Sequence, residues 1–539
     1  MILKKYYYIF LMGIPSYFSH IVKNHGNIIK KYNLSPIKVN NLYLDCNSII
    51  YDSVHSIDST QTNFDIIIST TITKIEEYIS LIKPDTNIFI AFDGVAPVAK
   101  MEQQRIRRYK SNYQQQITSG FYKSFQEIKP DPWNTTAITP GTLFMHQLAV
   151  KMNSHFNDPE KYGTSTLKVS CGDQYGEGEH KIFEYIRANP AEHSAATSVI
   201  YGLDADLIML SINHLPISPN IYLFRETPHF IQSIDKSLEP NETYLMDIPE
   251  LAKIITLDMN NGAEMTTEQQ KNKIYDYIFI CFMLGNDFLP HFPAVNIRTN
   301  GIEKLLDAYK SVIGPTENLT DGATIYWQNF RKFVSYLAAK EEQFMKNEIK
   351  LRDKRERFFY PTDTPENMIK KFDAIPTYDR ANEKTINPYQ PNWQKRYYTA
   401  LFKTSIDDAK CEEIATNYME GLEWTMKYYT TGCVDWRWHY KYNYPPLLQD
   451  LLKFIPDQET IFIAEKAANP VTPMVQLCYV LPLSSLSLLP SPIYNKLIKV
   501  YNECYRNDFK FEWSFCRYFW ESHIYLPAID IGELERICS

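Results

Sequence analysis

The chain has nine cysteines in 539 residues, with no C-x-x-C pair and no Cys/His run at zinc-ligand spacing. A structural zinc is therefore not expected, and an odd number of dispersed thiols points to a reducing compartment. No apolar run reaches the ~20 residues that a membrane helix needs. "MVQLCYVLPLSSLSLLPSPI" comes closest, but Gln476, the serines, Pro482 and Pro490 interrupt it. "MILKKYYYIFL" at the start has two lysines and a short apolar piece, yet no small-residue cleavage site follows, so no secretion signal is read. Internal repeats are absent. Positive charge is not in excess either: 56 Lys and Arg against 63 Asp and Glu give a net charge of −7. That argues against a generic nucleic-acid coat. It leaves room for a nuclease, whose metal site needs clustered acids and whose cations can sit in one patch.

What is present is a globular composition, 44% hydrophobic and 22% charged. The length suits two units or one elaborated domain. Aromatics reach 14%, with 39 tyrosines, which leaves many rings for stacking. In the first half, short apolar runs such as "NLYLDCNSII", "NIFIAFDGVAP" and "SVIYGLDAD" read as strands. Helical patterns such as "IISTTITKIEEYISLI" and "EHKIFEYIRANP" lie between them. This alternation predicts an α/β fold, a mostly parallel doubly wound sheet flanked by helices. From about Lys273 the pattern is largely helical. Residues 341–390 read as a charged, Pro-punctuated variable connector with partial helix, and an aromatic-rich helical segment runs from about Pro391 to the end.

The three strand candidates all end in aspartate. Asp45 closes "NLYLD", Asp93 closes "IFIAFD", and Asp204 and Asp206 interrupt "VIYGLDADLIMLS". If that last strand persists through Leu203, its period of two puts Asp204 and Asp206 on one side. Each acid alone could be a helix cap. Parallel strands, however, gather their C-terminal ends at one edge, where open α/β sheets bind ligands. Asp287, in "FMLGNDFLPHFP" after an apolar helix, is a further candidate. So are Glu177 and Glu179, which "YGEGEHK" places in a Gly-punctuated turn before a helix of Ile182–Arg187. Acids packed together repel unless cations lie among them. An all-oxygen set with no Cys and no essential His suits Mg²⁺ or Mn²⁺. Two such ions are a standard device for phosphodiester cleavage.

"APVAKMEQQRIRRYKS" follows Asp93 directly. On a helix Lys100, Gln104, Arg107 and Arg108 fall at about 0°, 40°, −20° and 80°, one stripe about 100° wide. A solvated charged face is the bland alternative; beside an acidic cluster, the stripe suggests a terminal-phosphate pocket. With "MGIPSYF", "LYLDCNSIIY", "FDGVAPVAKMEQQRIRRY", "ITPGTLFM", "GEGEHKIFEYIR", "YGLDADLIML" and "CFMLGNDFLPHFP" in this order, the chain resembles the XRN family of 5′→3′ exoribonucleases. "YMEGLEWTMKYYTTGCVDWRWHYKYNYPPLLQDL", "VQLCYVLPLSSLSLLP" and "WESHIYLPAID" resemble that family's second conserved region. The resemblance covers nearly the whole chain from Met12, without the long C-terminal extension of the large cytoplasmic members.

The resemblance implies a flap-nuclease-like catalytic core and metal binding by Asp45, Asp93, Glu177, Glu179, Asp204, Asp206 and Asp287. It also implies 5′-phosphate recognition by Lys100, Gln104, Arg107 and Arg108. Tyr51 stands where members commonly have His and is expected to stack on the terminal base. Val98 replaces a frequent Arg, and Tyr175 a usual Pro. Trp436 and Trp438 in "DWRWHY" are both candidates for base stacking and both candidates for the core. The expectation is a processive 5′→3′ exoribonuclease with two Mg²⁺ or Mn²⁺ ions. It would act on single-stranded RNA with a 5′-monophosphate and release nucleoside monophosphates. The expected layout is an extension at 1–11, a catalytic domain at 12–340, the connector at 341–390 and a helical region at 391–539. A monomer without a membrane partner is expected, cytoplasmic, with a nuclear setting as the alternative. One rival is a flap-type DNA nuclease, whose paired-glycine hairpin after the last metal Asp has no match beyond an isolated Gly301. The other is an RNA-binding scaffold with a dead site, which would require losses among the acids.

Overall fold

A computed structural model of the chain describes residues 14, 16–32, 37–57, 62–127, 133–226, 232, 234–239, 242–505 and 509–539. The expected extension at 1–11 and part of "MGIPSYF" lie outside the described residues.

The first half builds one seven-stranded sheet. Its strands are β1 (Ile29–Lys31), β2 (Asn41–Asp45), β3 (Asn87–Ala91), β4 (Thr166–Ser170), β5 (Thr197–Tyr201), β6 (Asn220–Glu226) and β7 (Thr243–Asp247). The order is β1-β7-β6-β5-β2-β3-β4. From β6 to β4 all pairs are parallel, and only β7 and β1 add antiparallel pairs at one edge. The mostly parallel α/β class expected from the sequence is the one observed. Helices cover both faces, so the central strands are buried on both and read as continuous apolar runs. Within them the period of two still sorts side chains. Tyr43, Phe89 and Ile200 enter one core, and Leu42, Leu44, Ile88, Ile90, Val199 and Tyr201 enter the other.

In the register, Asp45 pairs with Ala91 and Leu44 with Tyr201. The ends of β2, β3 and β5 are therefore level. Strand β5 does not persist through Leu203; it stops at Tyr201. The chain turns there because Gly202 lets the next helix close in: a Cβ at Gly202 would lie 2.0 Å from Leu207 Cδ1. The helix that follows is Asp206–His214, with Ala205 at its N-cap and no side-chain cap bond. The turn, not strand alternation, places Asp204 and Asp206, and neither caps the helix. The helix after "YGEGEHK" also begins earlier than expected, at Gly178.

The expected connector is a second difference. A 30-residue helix, Trp327–Glu356, runs straight through position 340. Its buried Trp327, Phe330, Phe333, Val334, Leu337, Met345 and Ile349 recur at helical spacing. Pro365–Asp373, Ile375–Tyr378 and Ala381–Ile386 are further helices. The last part of the chain docks on the helix Val98–Ser124: Val95, Met101 and Tyr109 share a core with Val475, Leu477, Leu481 and Ile524. A small antiparallel pair, β8 (Lys510–Glu512) and β9 (His523–Tyr525), completes the strands. The nine cysteines form no disulfide. Among the described residues, no helix is long and apolar enough to cross a membrane.

Candidate active site

All seven acids meet at the level strand ends. Asp45 closes β2; Asp93 follows β3 by two residues, and Asp204 follows β5 by three. Glu177 and Glu179 come from the start of the helix Gly178–Ala188. Asp206 opens its own helix, and Asp287 comes from the turn after Phe282–Leu284. Carboxylate oxygens of Asp45, Asp93 and Glu179 lie within 4.8 Å of one another, and so do ligand atoms of Glu177, Glu179 and His180. Gly178 is what lets these elements close. Its N–H donates to Asp93 Oδ1 at 2.8 Å, and a Cβ there would lie 2.7 Å from Asp45 Oδ1.

Lys100 reaches into the cluster as a buried cation. Lys100 Nζ pairs with Glu177 Oε2 and, at 2.7 Å, with Asp287 Oδ2. Burial alone would lower its pKa, but Asp287, Glu177, Glu179 and Asp206 outweigh that and hold it well above the lysine range. Even with Arg107 and Arg225 near Asp204 and Lys181 near Asp93, the seven carboxyls outnumber the cations around them. Burial, reinforced by Asp93 and Asp204, pushes Asp45 well up. Burial, with Glu177 and Asp45, does the same to Glu179. Asp206 also rises through burial and Asp287. Burial takes Asp204 to about 6, against the pull of Lys100. Asp45 Oδ1 and Asp206 Oδ1 are buried with no hydrogen-bond partner among the described residues. Buried polar atoms are seldom left so, and here they point to missing positive charge. The donor set is oxygen apart from His180, which burial drives well below its usual pKa and so keeps neutral. Such a set fits Mg²⁺ or Mn²⁺.

The helix Val98–Ser124 carries the basic stripe. Lys100 points into the acids. Gln104 is buried and accepts from Gln476 Nε2 at 3.4 Å. Arg107 lies within the electrostatic reach of Asp204. It also lines a cavity of about 200 Å³ shared with Gln103, Asp287, Arg298 and Trp520. Arg108 Nη2 donates to Thr139 Oγ1 at 2.7 Å, while its buried Nη1 has no partner among the described residues. Burial brings the Arg108 pKa down to about 10, with Tyr51 opposing. Tyr51, half-buried on the helix Asn47–Ser56, lies within the electrostatic reach of this arginine. Val98 is buried, and its N–H donates to Trp436 O at 3.0 Å.

The two candidate tryptophans separate. Trp438 is buried, stacked on Trp424 at 5.3 Å, and its Nε1 donates to Glu420. Trp436 is half-buried and meets the exposed Tyr175 edge-on at 5.4 Å. The sequence reading missed three other partners of the acids. Asn47 and Asp93 bond reciprocally, side chain to side chain and backbone N–H to side chain. Arg225, near Asp204, donates to Leu203 O at 2.8 Å. Tyr428 donates to Glu177 Oε1 at 2.8 Å. Asn47, two residues from Asp45, and the lone Arg225 in an apolar strand were legible signals. Tyr428, in a run of core aromatics, gave none.

Two family models match this chain. The model described as XRN 5′-3′ exonuclease N-terminus matches residues 12–227, and the Xrn1 helical domain matches 268–385 and 364–537. The chain belongs to the XRN family. Among curated XRN relatives, 5′-3′ exoribonuclease 2 of Gallus gallus is 25% identical over 96% of this chain and 69% of its own length. 5′-3′ exoribonuclease 1 of Saccharomyces cerevisiae is 28% identical over 90% of this chain and 40% of its own. The Homo sapiens 5′-3′ exoribonuclease 1 is 27% identical over 96% and 33%. The two XRN models divide the cluster. Six acids lie in the N-terminal match, whereas Asp287 and Tyr428 lie within the span of the helical match.

Proposed function

We propose that this chain is a processive, metal-dependent exonuclease that degrades single-stranded RNA with a 5′-monophosphate, releasing nucleoside monophosphates. XRN membership makes it a 5′→3′ exoribonuclease; the metal, the processivity and the 5′ end are this reading's additions. The observation that carries it is a charge-deficient cluster of seven acids, buried orphan oxygens included, directly beneath a helix bearing Lys100, Gln104, Arg107 and Arg108. Asp45, Asp93, Glu177, Glu179, Asp204, Asp206 and Asp287 would hold two Mg²⁺ or Mn²⁺ ions. Such ions neutralise the acids, activate water and stabilise the leaving oxygen. The chain's own cations supply the register. Arg108 Nη1, with no partner among the described residues, is a donor for a terminal phosphate, and Arg107 lies within the electrostatic reach of Asp204. Tyr51, within the electrostatic reach of Arg108, and the half-buried Trp436 offer faces to the first bases; Trp438, in the core, does not. The chain's thiols, unpaired by disulfides, suit a reducing cytoplasmic setting.

The test compares end-labelled RNAs that differ only in a 5′-phosphate or a 5′-hydroxyl. Hydrogen bonds to charged groups contribute ~1.5–3 kcal/mol each. Arg107→Ala/Arg108→Ala should therefore weaken use of the phosphorylated RNA by about 10²–10⁴-fold, at ~1.4 kcal/mol per factor of ten. Turnover of the hydroxyl RNA should barely change. Equal losses on both RNAs would reduce the arginines to a general backbone guide.

A further inference from the structure

The helix Asp408–Thr430 presents two successive tyrosines to the acid cluster. Tyr428 donates its hydroxyl to Glu177 Oε1 at 2.8 Å, and Tyr429 lies within the electrostatic reach of Asp206 and Asp287. Both rings are fully buried and clamped. Tyr428 lies between His180, stacked at 3.8 Å, and Trp424, stacked at 4.8 Å, with Phe288 edge-on at 5.6 Å. Trp424 is fixed in turn by Trp438 and by its Nε1 bond to Asp435 O at 2.8 Å. Tyr429 meets Phe282 edge-on at 5.2 Å, and its backbone O accepts from Asn213 Nδ2 at 2.9 Å. Four rings in a column, His180–Tyr428–Trp424–Trp438, thus run from the acids into the helical region.

We propose that Tyr428 is a positioning residue for the divalent-cation site, aiming Glu177 from a rigid aromatic column that the helical region supplies. The inference rests on reading the acids as metal ligands. Neighbouring carboxylates repel, so Glu177 needs partners to hold it among its fellows; Lys100 pairs with Oε2 and Tyr428 with Oε1. A hydroxyl on an immobile ring gives Glu177 a fixed direction, and its carboxylate oxygens keep further lone pairs for a cation. Outer partners of this kind are worth 10–100-fold in metal affinity.

Tyr428→Phe keeps the ring and removes only the hydroxyl. Mn²⁺ binding to the full chain, read from the free aqua-ion signal in electron paramagnetic resonance, should weaken about 10-fold in this variant. Melting in EDTA should change little, while the rise in Tm given by Mn²⁺ shrinks. A Tyr428→Phe variant that binds Mn²⁺ as tightly as the wild type overturns the proposal. So does an equal loss of Tm with and without Mn²⁺ at unchanged affinity, which would make the hydroxyl purely structural. Wild-type protein that binds no Mn²⁺ would instead remove the metal reading itself, before any variant is compared.

Discussion

Two buried charged clusters in this molecule are built on opposite rules. Around the strand ends, seven acids outnumber the nearby cations, Lys100 pairs with Glu177 and Asp287, and buried oxygens of Asp45 and Asp206 have no hydrogen-bond partner among the described residues. Under the helix Trp327–Glu356, the buried Glu383 has two arginines of its own. Arg352 grips Glu383 with two bonds of 2.8 and 2.6 Å and also donates to Pro376 O and Cys516 O. Arg380 bonds the same Glu383 at 2.6 Å and reaches Asp353 and Glu356. Glu383 also accepts from Phe515 N at 2.8 Å. A paired network ties segments together and needs nothing further. An unpaired one is costly to bury, so it is tolerated where an added cation completes it. Imbalance of charge, more than burial or count, separates a candidate site from a structural strut.

The largest effect expected from this contrast is at Asp206. Asp206→Ala should bring RNA cleavage below detection yet leave the metal-free fold at least as stable, because one repelling charge is gone. Thermal melts in EDTA and in Mg²⁺, beside a cleavage assay, check both halves. Wild type should gain Tm from Mg²⁺ through binding to the folded state, and the variant should gain less. Full cleavage in EDTA would break the comparison outright.

The matched cluster should answer in reverse. Glu383→Ala leaves Arg352 and Arg380 buried beside a gap and should cost ~3–5 kcal/mol of unfolding free energy. Chemical denaturation would show the loss, and Mg²⁺ should not restore it. Folded Glu383→Ala protein should keep its Mn²⁺ affinity. A stability loss much below this range would mean that Glu383 is not the hub the geometry makes it.

The two clusters differed in legibility for the same reason. Asp45, Asp93, Asp204 and Asp206 stood out because a carboxylate at the end of an apolar strand has no local partner to explain it. The strands themselves were readable because burial on both faces leaves continuous apolar runs. Periodicity put Lys100 on the stripe of Arg107 and Arg108 but could not say that its ammonium turns into the acids. Arg352, Arg380 and Glu383 looked like solvated charge in a connector, since their partners come from segments distant in sequence. Tyr428 was hidden too: a tyrosine in an aromatic run gives no sign of what its hydroxyl reaches.

Glu341 is an intermediate case and gives the finest test. It is buried in the same long helix, accepts from Leu448 N at 2.7 Å and Gln449 N at 3.1 Å, and forms no ion pair among the described residues. Burial raises its pKa from 4.5 to about 8, against the pull of those two N–H donors. A carboxyl whose folded pKa lies above its unfolded value favours the folded state most below the unfolded pKa. That contribution is lost as pH rises toward the folded pKa. Between pH 5 and 8 the wild type should therefore lose ~1.4 kcal/mol per pH unit relative to Glu341→Gln. The amide stays neutral throughout and can still accept through its oxygen. Denaturation midpoints of the two proteins at pH 5, 6.5 and 8 give the difference directly. A constant difference across that range would mean that Glu341 is ionised throughout, and that two backbone N–H groups can do for a buried carboxylate what Arg352 and Arg380 do for Glu383.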